Sequence, residues 1–242
     1  MTETPRAAFY ALQPGGWRDY VTLLHVPYTL WHLSYVVIGA ALAPVWLPGR
    51  LGATLVAFFL ALGIGAHALD ELQGRPLRTR IPDSVLCALA VVSITAAVAI
   101  GFAAALAWTP WLFAFVAFGG FIVVAYNLEL FGGRFHSDLW FAVAWGALPV
   151  LSAYVAAAET LAWAAVAAAG FAAALSHAQR CLSTPVRLVR RSVRDVSGAL
   201  ELDGGAKIPI TPSLLTRAPE QALRAMTVAT IAVAVALVLV RL

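Results

Sequence analysis

Seven long apolar blocks constrain this chain more than any other feature. They cover residues 20–43, 51–72, 84–106, 111–128, 138–158, 161–182 and 222–240. Each approaches the ~20 residues that a helix needs to cross hydrocarbon. Backbone inside hydrocarbon must satisfy its own polar groups, so blocks of this length read as helices. The expected fold is an all-α, polytopic transmembrane bundle of about seven helices. Apolar residues make up 62% of the chain and charged residues 12%. An ordinary soluble domain, with ~25% charged residues, is excluded.

The basic residues orient the bundle. With the N-terminus inside, Arg50 and Arg241 alone, of the 16 Lys and Arg, fall on the outer side. This bias predicts a multi-pass protein of the cell membrane with a cytoplasmic N-terminus. The net charge of +4 follows from that topology. It implies the bilayer and its headgroups as partners rather than nucleic acid. Residues 1–17 lack the apolar core of a signal peptide. Cys87 and Cys181 are too few, and on the wrong side, for a disulfide framework. Four regions result: a cytoplasmic segment at 1–19, a six-helix bundle at 20–182, a basic segment at 183–221 and a last helix at 222–242. Within the basic segment, a short interfacial helix and then a β-hairpin over residues 196–210 are expected. Asp203-Gly204-Gly205 supplies the hairpin's turn.

Chemistry gathers where the second block ends, in Ala66-His67-Ala68-Leu69-Asp70-Glu71-Leu72-Gln73-Gly74-Arg75-Pro76-Leu77-Arg78-Thr79-Arg80-Ile81-Pro82. On a helix, His67, Asp70 and Glu71 share one face. Ionisable groups at the edge of a span are costly, so function is their default explanation. A fainter copy reads His177-Ala178-Gln179-Arg180-Cys181-Leu182-Ser183-Thr184-Pro185-Val186-Arg187. The repeat predicts two related halves that bring His67 and His177 to one cavity.

Three roles for these groups stay open. His67, Asp70, Glu71 and His177 offer a divalent metal mixed ligands, which suit zinc, manganese or iron better than magnesium. Alternatively, a carboxylate orients the imidazole for acid–base catalysis. A structural alternative pairs Asp70 with Arg180. His25 and His32, two turns apart, add imidazoles that also admit haem ligation.

These motifs resemble those of the UbiA-type membrane prenyltransferases. That family carries Asn-Asp-x-x-Asp-x-x-x-Asp at the cytoplasmic end of its second helix. Here Ala66 and His67 stand at the first two positions, Asp70 matches the next aspartate, and Gly74 replaces the last. The loop over residues 75–82 is similar to the family's, as are Tyr126 and the run Gly146-Ala147-Leu148-Pro149-Val150-Leu151-Ser152-Ala153-Tyr154. The resemblance spans most of residues 20–182. It implies magnesium ions that capture an isoprenyl diphosphate, whose departure leaves an allylic cation for an aromatic or lipid acceptor. Asp70, His67 and Glu71 then form the catalytic group, while Arg78, Arg80, Arg187, Arg191 and Tyr126 cradle the diphosphate. Two departures stand out. The second acidic motif is missing, with His177, Arg180 and Cys181 in its region, and there is room for seven helices where the family usually has nine. The expected function is a prenyltransferase-like enzyme acting on an isoprenoid lipid at the cytoplasmic face. The alternative is a non-catalytic binder of a lipid, quinone or metal. Transport fits poorly, because the polar residues collect at one end rather than at the midplane.

Overall fold

The first apolar block does not form one helix. In the computed structural model, which describes residues 6–242, it divides into α1 (Trp17–Leu23) and α2 (Val26–Ala41), inclined at 44°. Pro27 has no N–H for the Leu23 carbonyl four residues back, and His25 at the break takes a left-handed φ of 45°. The remaining helices are α3 (Pro48–Leu72), α4 (Asp83–Ala107), α5 (Leu112–Asn127), α6 (Asp138–Ala158), α7 (Trp163–Arg191) and α8 (Pro212–Arg241).

Four of these, α3, α4, α6 and α8, are long and apolar enough to cross a membrane, and the bent pair α1–α2 adds a fifth. The expected count of seven is recovered only in part. At 16 residues, α5 is about 24 Å long, short of the ~30 Å hydrocarbon core. α7 has 29 residues, but its second half carries His177, Gln179, Arg180, Arg187, Arg190 and Arg191. The expected interfacial helix is not separate: α7 continues through Pro185 to Arg191. α8 likewise begins at Pro212 rather than 222 and runs through Pro219. Between them, β1 (Ala199–Glu201) and β2 (Lys207–Pro209) pair antiparallel, with Leu200 opposite Ile208. Gly205, at φ 77°, provides the turn conformation that side chains resist.

α2 and α6 form the middle of the bundle, with α7 and α8 on one side and α3 to α5 on the other. Trp31, Tyr35, Val150, Ala172 and Leu223 build the central core. Two glycines permit backbone-to-backbone contact there. A Cβ on Gly39 would stand 2.2 Å from the Val150 carbonyl oxygen, and one on Gly146 would stand 2.6 Å from that of Ala172. Small residues of this kind let helices in a bilayer pack closely.

π-helical turns interrupt α3 at Phe59–Ala66 and α6 at Ala142–Ala147. In α6, Pro149 offers no N–H to the Trp145 carbonyl, which instead accepts a hydrogen bond from His32 Nδ1 at 2.9 Å. A proline in one helix thus positions a histidine on another.

Candidate functional site

The ends of α3 and α7 do converge on one cavity, of about 860 Å³. α3 contributes His67 and Asp70, and α7 contributes Gln179, Arg180, Arg187 and Arg191. His25, Tyr28 and His32 enter from the α1–α2 break and from α2, Tyr126 and Asn127 from α5, and His136 from the loop before α6. Residues 7–10 close the remaining side.

Backbone carbonyls fix three of the imidazoles. Nδ1 of His32, His67 and His136 lies 2.9, 3.1 and 3.0 Å from the carbonyls of Trp145, Gly63 and Tyr126. A carbonyl only accepts, so each Nδ1 carries a proton, and in the neutral ring Nε2 keeps the lone pair. His25 stacks on His67 with 3.9 Å between centroids. Three buried polar atoms have no hydrogen-bond partner among the described residues: His25 Nε2, Tyr126 Oη and Gln179 Oε1. All three residues line this cavity. An unmet buried polar group costs ~1–3 kcal/mol, so these three atoms give the cavity a demand for hydrogen bonds that water or a polar ligand would meet.

The arginines divide into paired and free. Arg180 Nε meets Asp138 at 2.9 Å, and Arg190 pairs with Glu220. Arg187 donates to the Thr184 hydroxyl at 3.3 Å, and Arg191 to the Ala7 carbonyl at 3.4 Å. Among the described residues neither pairs with a carboxylate. Beyond Leu182, where the apolar stretch of α7 ends, burial pushes the Arg187 guanidinium below its usual value. Arg180 and Arg191 add to that shift and Asp70 opposes it. Burial pushes the Tyr10 phenol up, so it stays a neutral donor at the mouth.

Asp70 and Glu71, adjacent in sequence, have opposite roles. Asp70 faces the cavity and pairs with no cation among the described residues, so the expected Asp70–Arg180 pair is replaced by Asp138–Arg180. Glu71 is fully buried on the other side, outside the cavity lining. Its carboxylate accepts the N–H groups of Leu77 and Thr79 and the Thr79 hydroxyl, at 2.8–2.9 Å. It shapes the arginine loop from within. Asp19 fastens that loop from outside, accepting the N–H groups of Gly15 and Arg80 at 2.9 Å each.

Two further expectations about placement are corrected. His177 is exposed and touches Cys181 rather than His67, so the sequence repeat does not bring two histidines together. Arg78 and Arg80 are exposed and lie outside the cavity lining, although Arg78 donates to the Arg191 carbonyl at 3.3 Å. Among the described residues no group of three His, Cys, Asp or Glu is placed to hold an ion. With Glu71 turned away and His177 outside, Asp70 is the one carboxylate lining the cavity among the described residues.

Tyr10, His136 and Gln179 line the cavity but were not among the expected site residues. A signal for Gln179 was present. Ser176, Gln179, Ser183 and Arg187 recur every three to four residues along α7, and the first three are buried. His177 and Cys181 lie on another face.

Comparison of the chain with protein-family models, with curated proteins and with solved structures gives no match. The function rests on the site's own residues.

Proposed function

We propose that this chain is a UbiA-type membrane protein whose polar cavity takes the phosphate or diphosphate head of an isoprenoid lipid. The observation that carries this reading is Arg187 and Arg191, which line the cavity without carboxylate partners beside three orphaned polar atoms. Guanidinium groups bind phosphate oxygens through forked, charge-assisted hydrogen bonds, roughly twice as strong as neutral ones. Two such groups supply in fixed positive charge part of what the resemblance assigns to metal ions.

In this reading the cavity opens to the cytoplasm, the N-terminus is inside, and α5 and α7 complete seven spans. The two outlying arginines support that orientation. Arg50 holds the Ala156 carbonyl and Glu159, and Arg241 holds the carbonyls of Ala41 and Ala43, all remote from the cavity.

Asp70 favours a second reading, prenyl transfer. The bond from allylic carbon to diphosphate oxygen breaks, and its electron pair leaves with the diphosphate held by Arg187 and Arg191. The unpaired Asp70 carboxylate stabilises the cation until the acceptor's nucleophile forms the new bond and releases its proton to a cavity base.

The test is titration of the protein, in phosphatidylcholine nanodiscs, with radiolabelled geranyl diphosphate. Arg187→Gln and Arg191→Gln should each weaken binding by about tenfold or more at unchanged thermal stability. Equal binding by all three proteins sinks the head-group reading. Release of inorganic diphosphate on adding a hydroxyaromatic acceptor, lost in Asp70→Asn, decides the second.

A further inference from the structure

The loop over residues 75–82 is a motif that the polar cavity leaves unused. Burial alternates along it. Leu77, Thr79 and Ile81 turn inward and are buried, whereas Arg78, Arg80 and Pro82 are exposed. Two buried carboxylates hold that register. Glu71 accepts the N–H groups of Leu77 and Thr79 from within, and Asp19 of α1 accepts that of Arg80. Carboxylates are costly to bury. Here two of them fix a loop whose outward arginines lie outside the cavity lining.

Asp19 also joins this loop to the exposed face of α1. On that face Trp17 is 68% exposed and Tyr20 45% exposed. The Arg18 guanidinium stands 5.9 Å from the centroid of the Trp17 ring. Arg75 is engaged by Asp83 and by the carbonyls of Thr79 and Ile81. Arg18, Arg78 and Arg80, by contrast, pair with no carboxylate among the described residues.

We propose that Trp17, Arg18 and Tyr20 of α1, with Arg78 and Arg80 of the loop, form a binding site for the phosphodiester headgroup of an anionic phospholipid. The site is separate from the polar cavity and stands whichever ligand that cavity takes.

Placement and chemistry carry the proposal together. α3 ends, α4 begins and the bent pair α1–α2 begins at this face. Three segments long and apolar enough to cross a membrane thus leave hydrocarbon here, which is the depth of the headgroups. Indole and phenol rings favour that depth, with the ring body against lipid and the polar edge in water. Guanidinium groups present forked donors that match phosphate oxygens. Arg78 gives one donor to the Arg191 carbonyl at 3.3 Å and keeps the others free. A site for a soluble anion would need the cations alone, and the two exposed rings add the preference for a lipid.

Native mass spectrometry tests the site. The protein in mild detergent is offered equal amounts of phosphatidylglycerol and phosphatidylcholine with matched acyl chains. A basic residue at a bilayer surface adds about fivefold to the affinity for anionic lipid, so the wild type should retain phosphatidylglycerol in preference by about tenfold or more. Arg18→Gln/Arg80→Gln should bring that ratio close to one. Arg194→Gln/Arg217→Gln, which removes two other exposed arginines, should keep the preference, as should Arg187→Gln in the polar cavity. No preference in the wild type overturns the proposal. Equal losses in the two double variants overturn it as well, because they show diffuse attraction to basic segments. A loss in Arg187→Gln as large as that in Arg18→Gln/Arg80→Gln places the lipid in the polar cavity and overturns it too. So does complete displacement of the lipid by inorganic phosphate where chloride of equal ionic strength leaves it bound, which marks a site for a soluble anion. Should the double variant not fold, Arg80→Gln alone carries the same comparison, with an expected loss of about fivefold.

Discussion

The polar cavity and an apolar crevice between α3, α4, α5 and α6 are nearly equal in volume, about 860 and 850 Å³, and are built in opposite ways. The polar one is walled by large side chains, and what distinguishes it is the groups left unpaired: Asp70, Arg187, Arg191 and the three orphaned atoms. The apolar one is shaped by side chains that are absent, at Ala53, Ala57, Gly101, Gly119 and Gly120. One region is defined by where donors and charges are fixed, the other by where volume was removed. The two should fail differently when mutated.

The largest expected effect concerns the glycines. Gly146→Ala places a Cβ 2.6 Å from a carbonyl oxygen of α7, where no side chain can yield. We expect failure to fold or a loss of about 3 kcal/mol in a detergent thermal melt. Gly119→Ala, on the crevice wall, should stay within about 0.5 kcal/mol, helped by the better helix propensity of alanine. Similar melting losses for both would break the comparison.

Next comes Glu71→Ala, which strands two buried N–H groups and the Thr79 hydroxyl. It should cost about 3 kcal/mol and speed amide exchange at Leu77 and Thr79. Normal protection at those amides would show that the loop does not depend on the carboxylate. Asp70→Asn should do the reverse, with stability within about 0.5 kcal/mol of wild type, because no ion pair is lost. Removing a charge of like sign should tighten geranyl diphosphate binding by about threefold. A destabilised Asp70→Asn protein would restore the structural pairing that the geometry replaces. The smallest effect is expected from chelation: EDTA should leave geranyl diphosphate affinity unchanged. A large loss would reinstate the metal that the family resemblance implies.

Legibility in the sequence followed the uniformity of each segment. Residues 84–106 and 138–158 read correctly as helices because they are apolar throughout. Prolines had unlike effects at three places. Pro27 marked a real break inside an apolar block, whereas Pro185 and Pro219 lie within continuous helices that packing holds together. The hairpin turn was readable because Asp-Gly-Gly carries its own conformational preference. Asp70 and Glu71 were not separable by spacing. Their difference lies in Leu77 and Thr79, whose N–H groups reach back only once the loop has folded. His177 was selected by a repeat of letters, whereas the buried stripe of α7 runs through Gln179.

The segment over the polar cavity bears on rates. The carbonyls of Arg6 and Ala7 engage Arg190 and Arg191, Phe9 lies 4.9 Å beneath the Arg224 guanidinium, and Tyr10 leans on His25 and Tyr28. A ligand that takes Arg191 therefore exchanges one bond for another. In the head-group reading, its entry and exit would both require local opening of this strap. Loosening the strap, as in Phe9→Ala, should then speed arrival and departure together and move the equilibrium little, so that residence time and affinity would answer to different parts of the molecule.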